Sequence, residues 1–126
     1  MKTRFYYDNG LILLSALVSG EKRKNMPVIL ALDTGSFFTN LKPDILERVG
    51  AIPTKEIAFL LGVGEKVKSE FAILESFSAF GISAKHFKVT SHSLPNDYPI
   101  DGLLGNEFLR HHKIFIDFPN GIISIE

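Results

Sequence analysis

Apolar, β-favouring runs separated by turn residues organise the chain from its first residues onward. Residues 4–7, 11–18 and 27–32 form the first three, and Asn9-Gly10 between the first two is a tight-turn signal for a hairpin. The polar stretch 20–25 reads as a solvated turn joining the second run to the third. Residues 43–50 predict a short helix, with Pro43 at its start and Gly50 at its end. Strands follow at 57–61 and 67–74 around Gly62, Val63, Gly64 and Glu65, then at 77–80 and 85–90 on either side of Gly81. Residues 91–99 read as a polar, proline-marked loop. A second short helix is expected over 106–112, with Asn106 placed to cap it, and 113–118 with 121–125 close the chain as a hairpin across Pro119-Asn120-Gly121. The sum is a mainly β chain with two short helices, which fits a small closed barrel-like sheet better than a parallel α/β layer.

Composition narrows the picture. At 126 residues the chain has room for one domain and not two, so a single domain over 1–126 is expected. Apolar residues make up 45% and charged residues 22%, ordinary globular values that give no sign of disorder. Lys and Arg together number 14, as do Asp and Glu, so no net field draws the chain to nucleic acid or to an anionic membrane, and neither is expected as a partner. The chain has no cysteine, which excludes disulfides, thiolate nucleophiles and thiolate metal ligands. The apolar run 11–18 is far shorter than the roughly 20 residues a membrane helix needs. Lys2 and Arg4 before it and small residues after it also fit a leader peptide, but Asp8-Asn9-Gly10 interrupts the approach. A strand is the better use of that run, and a cytoplasmic location is the working expectation.

Several chemistries find no anchor. Gly62 and Gly64 begin a dinucleotide-loop pattern, but Val67 stands where its third glycine belongs. His111 and His112 are adjacent, so on a helix they diverge and cannot chelate as an i, i+4 pair would. His86 and His92 have no acidic residue at ligand spacing, and no Gly-x-Ser-x-Gly elbow is present. Neither a metal nor another cofactor is expected.

Asp33-Thr34-Gly35-Ser36 ends the apolar run 28–32, where a strand leaves the core and turns sharply. Alone, such a triplet is most simply a strand exit, with Asp accepting local backbone hydrogen bonds and Gly easing the turn. Its surroundings resemble the retropepsin-like aspartic proteases. Apolar residues lead into Asp33-Thr34-Gly35-Ser36, Thr39 and Leu41 follow, Gly62-Val63-Gly64 forms a glycine-bearing hairpin, and Asp101-Gly102-Leu103-Leu104-Gly105 precedes a short helix. The closing Ile116-Asp117-Phe118-Pro119-Asn120-Gly121 is similar to the hairpin of microbial members. Ser36 replaces the Ala of many retroviral members, and Phe37 and Phe38 are bulkier than the resemblance would place beside a substrate.

The resemblance implies a small barrel-like acid-protease fold with a flap hairpin, and an aspartic endopeptidase working without a cofactor on extended peptides. Asp33 would be the catalytic carboxylate, with Thr34 and Gly35 supporting its loop. Phe59, Leu60, Leu61, Gly62, Val63 and Gly64 would form the flap over the substrate, and Ser36, Leu103, Leu104 and Gly105 would support the site. Such chemistry needs two carboxylates. Asp8, Asp44, Asp97, Asp101 and Asp117 are the other aspartates, and none is followed by Thr-Gly or Ser-Gly. The family's solution is a homodimer that sets Asp33 of two copies side by side. In many members the chain ends interleave at that interface, which makes residues 1–7 and 122–126 candidates for it. Two other readings stay open: a non-catalytic retropepsin-fold module for peptide binding or dimerisation, and one half of a bilobed protease built with a different partner.

Overall fold

A computed structural model describes residues 1–62, 65–94 and 99–126, with backbone alone for 58–62 and 65–68. The chain begins with β1 (Lys2–Arg4), β2 (Tyr6–Asp8), β3 (Leu11–Ser19) and β4 (Met26–Leu32). After β5 (Asn40–Leu41) and helix α1 (Pro43–Val49) come the long strands β6 (Ile52–Gly62), β7 (Glu65–Ala79) and β8 (Ile82–Ser91). Then follow β9 (Gly102–Leu104), helix α2 (Asn106–Leu109), β10 (Ile114–Asp117) and β11 (Ile122–Ile125).

Local chemistry explains the turns. Asn9 and Gly10 both take positive φ, 49° and 77°, the pairing that matches a two-residue hairpin to strand twist, and they lock Tyr7 opposite Ile12. Helix α1 carries Pro at its start and ends at left-handed Gly50 (φ 77°), whose N–H returns to the carbonyls of Leu46 and Glu47.

The larger sheet runs β2-β3-β4-β9-β5-β8-β7-β6, and an additional β3–β7 pairing joins its two arms. That pairing closes β3, β4, β9, β5, β8 and β7 into a six-strand barrel, the closed sheet that the hydrophobic pattern called for. Val18, Leu30, Leu41, Leu74, Phe77 and Leu104 are fully buried inside it. Phe77 stacks on Phe87 at 4.7 Å and meets the edge of Phe108 from α2 at 5.0 Å, so the second helix is fastened to the barrel by aromatic packing.

Pairing partners redraw several expected elements. The run 4–7 divides at Phe5, which is buried and donates its N–H to Gly121 O at 3.0 Å, so that β1 and β2 belong to different sheets. The expected strands 67–74 and 77–80 are one strand, because β7 pairs with β8 along its length and with β3 at Ser76, Phe77 and Ser78. Strand β6 starts at Ile52, ahead of the expected 57, across an irregularity between Pro53 and Ile57. In β8, His86 takes φ 51°, and although it and Glu75 leave a gap in the β7–β8 pairing, the register is the same on both sides, Ser76 facing Lys85 and Leu74 facing Phe87. Helix α2 stops at Leu109 rather than 112, and its N-cap is Gly105, with Asn106 inside the first turn.

The two chain ends form a separate three-stranded sheet, β1-β11-β10. Strand β11 is its centre, paired with β1 through Thr3↔Ile123 and with β10 through Phe115↔Ser124. Both edges of β11 are thus occupied within one chain, and interleaving it with a partner's ends would first require breaking this sheet.

Candidate active site

The Asp33 loop leaves the barrel at the end of β4 and rests on the segment that runs from β9 into α2. Strands β4 and β9 are parallel, with Leu32 opposite Leu104, and the ladder continues past the strand end when Asp33 N–H donates to Leu104 O at 2.9 Å. Inside the loop, Gly35 N–H reaches Asp33 Oδ1 at 3.0 Å and Ser36 N–H reaches Asp33 O at 3.2 Å. Ser36 Oγ donates to Phe38 O at 2.9 Å, a local bond that holds the turn after the loop.

Helix α2 meets the loop with its unsatisfied first N–H groups, and the loop carbonyls accept them. Asn106 N donates to Ser36 O at 2.8 Å and Glu107 N to Phe37 O at 2.7 Å. The side-chain amide of Asn106 reaches Thr34 O at 2.5 Å. Gly105 N donates to the fully buried Thr39 hydroxyl at 3.1 Å. A Cβ on Gly105 would fall 2.4 Å from Phe38 O, so only glycine lets these two backbones approach so closely.

The structure therefore brings Asp33, Thr34, Gly35, Ser36, Leu104 and Gly105 together, and adds Thr39 and Asn106 to them. Leu104 is in the core while Leu103, its neighbour on β9, is half-buried on the opposite face and lies beside Ala31. Asp33 is half-buried, whereas Thr34 and Gly35 are exposed, and the Thr34 hydroxyl makes no hydrogen bond among the described residues. Phe59, Leu60, Leu61 and Gly62 lie on β6, opposite Lys68, Val67, Lys66 and Glu65 of β7 in an antiparallel ribbon. Val63 and Gly64, expected at its tip, lie outside the described residues.

Among the described residues the other aspartates do not join Asp33's loop. Asp44 pairs with Arg48 on α1, Asp101 accepts Ile29 N–H at 2.8 Å, and Asp117 holds Asn120. Asp8 ends β2, and Asp97 lies outside the described residues. Among the described residues no three His, Cys, Asp or Glu side chains gather where they would share a metal ion.

The bulky pair after the loop is fixed by aromatic packing. Phe38 meets Phe37 and Phe71 of β7 edge-on, both at 4.9 Å, and the Arg110 guanidinium lies 5.8 Å above Phe37. Next to them Glu107 has one buried carboxylate oxygen without a hydrogen-bond partner among the described residues. Burial pushes its carboxyl above the usual carboxylate range, against the opposing pull of the Arg110 and Lys88 charges.

Sequence reasoning reached Asn106 only as a cap and treated Thr39 only as part of a motif. Both act through contacts with residues more than sixty positions away, which no local pattern encodes.

Comparison with known proteins places this geometry. Neither a family model nor a curated protein matches the sequence. Solved structures do match in shape. A retropepsin-like aspartic protease from Rickettsia conorii superposes with a TM-score of 0.70 at 19% identity, over 99% of this chain and 89% of that one. EIAV protease, in complex with the inhibitor HBY-793, gives 0.61 at 17% identity, over 84% and 91% of the two chains. The retroviral protease-like domain of Ddi1 from Leishmania major gives 0.59 at 16%, over 92% and 88%. A closed six-strand barrel, an Asp-Thr-Gly loop seated on a Leu-Leu-Gly strand, and these three superpositions give one conclusion: the chain has the retropepsin-like aspartic protease fold.

Proposed function

We propose that the chain is an aspartic endopeptidase that acts as a homodimer, with Asp33 of each copy supplying one of two catalytic carboxylates. The observation that carries this reading is the Asp33 loop itself. It is braced on one side by Leu104, Gly105 and Asn106, and its other side presents an exposed Thr34 and Gly35. Two such loops meeting across a two-fold axis would let each free Thr34 hydroxyl bond its counterpart.

Paired carboxylates about 3 Å apart cannot both ionise readily, so the pair holds one shared proton. The ionised member removes a proton from a water molecule as that water's oxygen bonds to the scissile carbonyl carbon. The protonated member donates to the carbonyl oxygen. Collapse of the tetrahedral intermediate breaks the C–N bond, and the leaving nitrogen takes up a proton from the pair. In this reading the β6–β7 ribbon, with Phe59, Leu60, Leu61 and Gly62 leading to Val63 and Gly64, is the flap. It would lay apolar side chains and strand-like hydrogen bonds over an extended peptide.

Incubation with a diverse peptide library from acidic to neutral pH, read by mass spectrometry, tests the proposal. Wild type should cleave, and Asp33→Asn should abolish cleavage while leaving the assembly state unchanged. Undiminished cleavage by that variant would sink the assignment. A dimer that cleaves no peptide would instead favour a peptide-binding module on the same fold.

A further inference from the structure

Four consecutive residues, Arg110, His111, His112 and Lys113, carry cationic or imidazole side chains, and on a helix continued to 112 they would point in different directions. The structure ends α2 at Leu109 instead. His111, His112 and Lys113 therefore lie past its last turn, where complementing the helix dipole no longer accounts for them. The turn gathers all four, together with Glu126, around one open surface hollow of about 440 Å³.

The backbone under the hollow is fixed, whereas the side chains around it are uncommitted. Arg110 N–H donates to Asn106 O at 2.8 Å, His112 N–H to Leu109 O at 3.1 Å, and Lys113 exchanges both backbone hydrogen bonds with Glu126, at 3.1 and 3.0 Å. Among the described residues none of the four side chains makes a hydrogen bond or an ion pair. The Arg110 guanidinium rests over Phe37, which orients it without neutralising it, and Glu107, whose carboxyl feels that charge, lies three residues earlier on α2. Glu126 is the one carboxylate among the lining residues, so Arg110 and Lys113 together exceed it. A guanidinium, an ammonium and two imidazoles suit carboxylates, which accept hydrogen bonds from all of them, and would repel a metal ion.

The hollow belongs to the unit that carries Asp33. The first N–H groups of α2 hold Ser36 O and Phe37 O, and the exposed Phe37 connects the loop to Arg110. Phe37 stands four residues after Asp33, at most about 14 Å away along extended chain. Arg110 lies 5.8 Å from the Phe37 ring. An extended peptide of about eight residues, at about 3.3 Å each, spans that distance. We infer that the hollow at Arg110, His111, His112 and Lys113 recognises acidic residues to one side of the bond that is cut, so that the chain selects peptides carrying a cluster of carboxylates there. The inference rests on the reading that Asp33 cleaves extended peptides, and it names the class of peptide selected.

Matched peptides that differ only in a terminal Asp-Glu-Asp or Asn-Gln-Asn, with the triplet at either end, test the site. Binding is measured by calorimetry on the Asp33→Asn chain, so that the peptides stay whole. In one orientation the acidic peptide should bind about tenfold more tightly than its amide counterpart, and raised ionic strength should shrink the preference. Arg110→Gln with Lys113→Gln should erase it. Arg23→Gln with Lys85→Gln, which removes the same two charges from exposed positions elsewhere, should keep it. Glu126→Gln should raise it about twofold, since the competing carboxylate is gone. Equal affinity for both peptides, or equal loss in the two double variants, would overturn the site. Inorganic phosphate that shifts the NMR signals of His111 and His112 without any peptide preference would mark a small-anion site and overturn it too. Cleavage is measured separately, on the chain that keeps Asp33. Equal kcat/KM for both peptides would leave the protease reading standing and remove the selection, whereas acid-selective binding with no cleavage would remove the protease reading and keep the hollow.

Discussion

The side-chain amide of Asn106 donates to the backbone carbonyl of Thr34 at 2.5 Å, across 72 positions of sequence. Through this one bond α2 sets the height of the residue that follows the candidate catalytic aspartate. Asn106→Ala removes the donor without filling its space. The expected result is a loss of about 1 kcal/mol in stability. A larger loss, roughly ten- to a hundredfold, is expected in kcat with little change in KM, because a misplaced loop harms the transition state more than substrate binding. Steady-state kinetics on a cleavable peptide would reveal it, and a change confined to KM would contradict a positioning role. Asn106→Asp should be worse than alanine, since it sets a carboxylate against a carbonyl oxygen.

Gly105 is where backbone meets backbone beneath the loop. A methyl group there would stand 2.4 Å from Phe38 O and 2.7 Å from Phe37 O, and neither atom belongs to a side chain that can swing aside. Gly105→Ala should therefore destabilise the chain by about 1–3 kcal/mol. The strain should also displace the Asp33 loop. Urea denaturation compared with wild type checks the first expectation. A variant with unchanged midpoint would show that α2 can slide away from the loop.

Glu107 makes stability depend on pH. Burial holds its carboxyl above the ordinary value, with Arg110 and Lys88 opposing. The folded chain thus binds this proton more tightly than the unfolded chain does. The contribution is fully present below the ordinary carboxylate pKa and is lost as pH rises through the folded-state value. Glu107→Gln is neutral at every pH and offers an amide where the carboxylate oxygen had no partner among the described residues. It should be more stable than wild type at neutral pH, with the gap narrowing as the solution is acidified. Denaturant midpoints along a pH series would show the convergence, and a constant gap would argue against titration of Glu107.

What the sequence determined by itself was local. Asn9-Gly10 carries its turn in its own backbone preferences, and Pro43 with Gly50 brackets α1 for the same reason. The Asp33-Thr34-Gly35-Ser36 loop and the Leu103-Leu104-Gly105 segment were legible as motifs through their order along the chain, which resembles that of the retropepsin-like proteases, since the triplet alone reads as a strand exit. Tertiary structure decided whatever depends on a distant partner. Strand β9 is three residues long and β5 is two, too short for any pattern, and both exist because β4, β8 and each other supply their hydrogen bonds. Phe5 divides a continuous apolar run because its ring has a core to enter and its N–H a carbonyl at Gly121. Likewise, Asn106 reads as a cap along the chain and is a brace in space. Backbone preference acts over a few residues and is written in them, whereas a hydrogen bond between positions 34 and 106 is selected only when the barrel closes and carries both ends to one place.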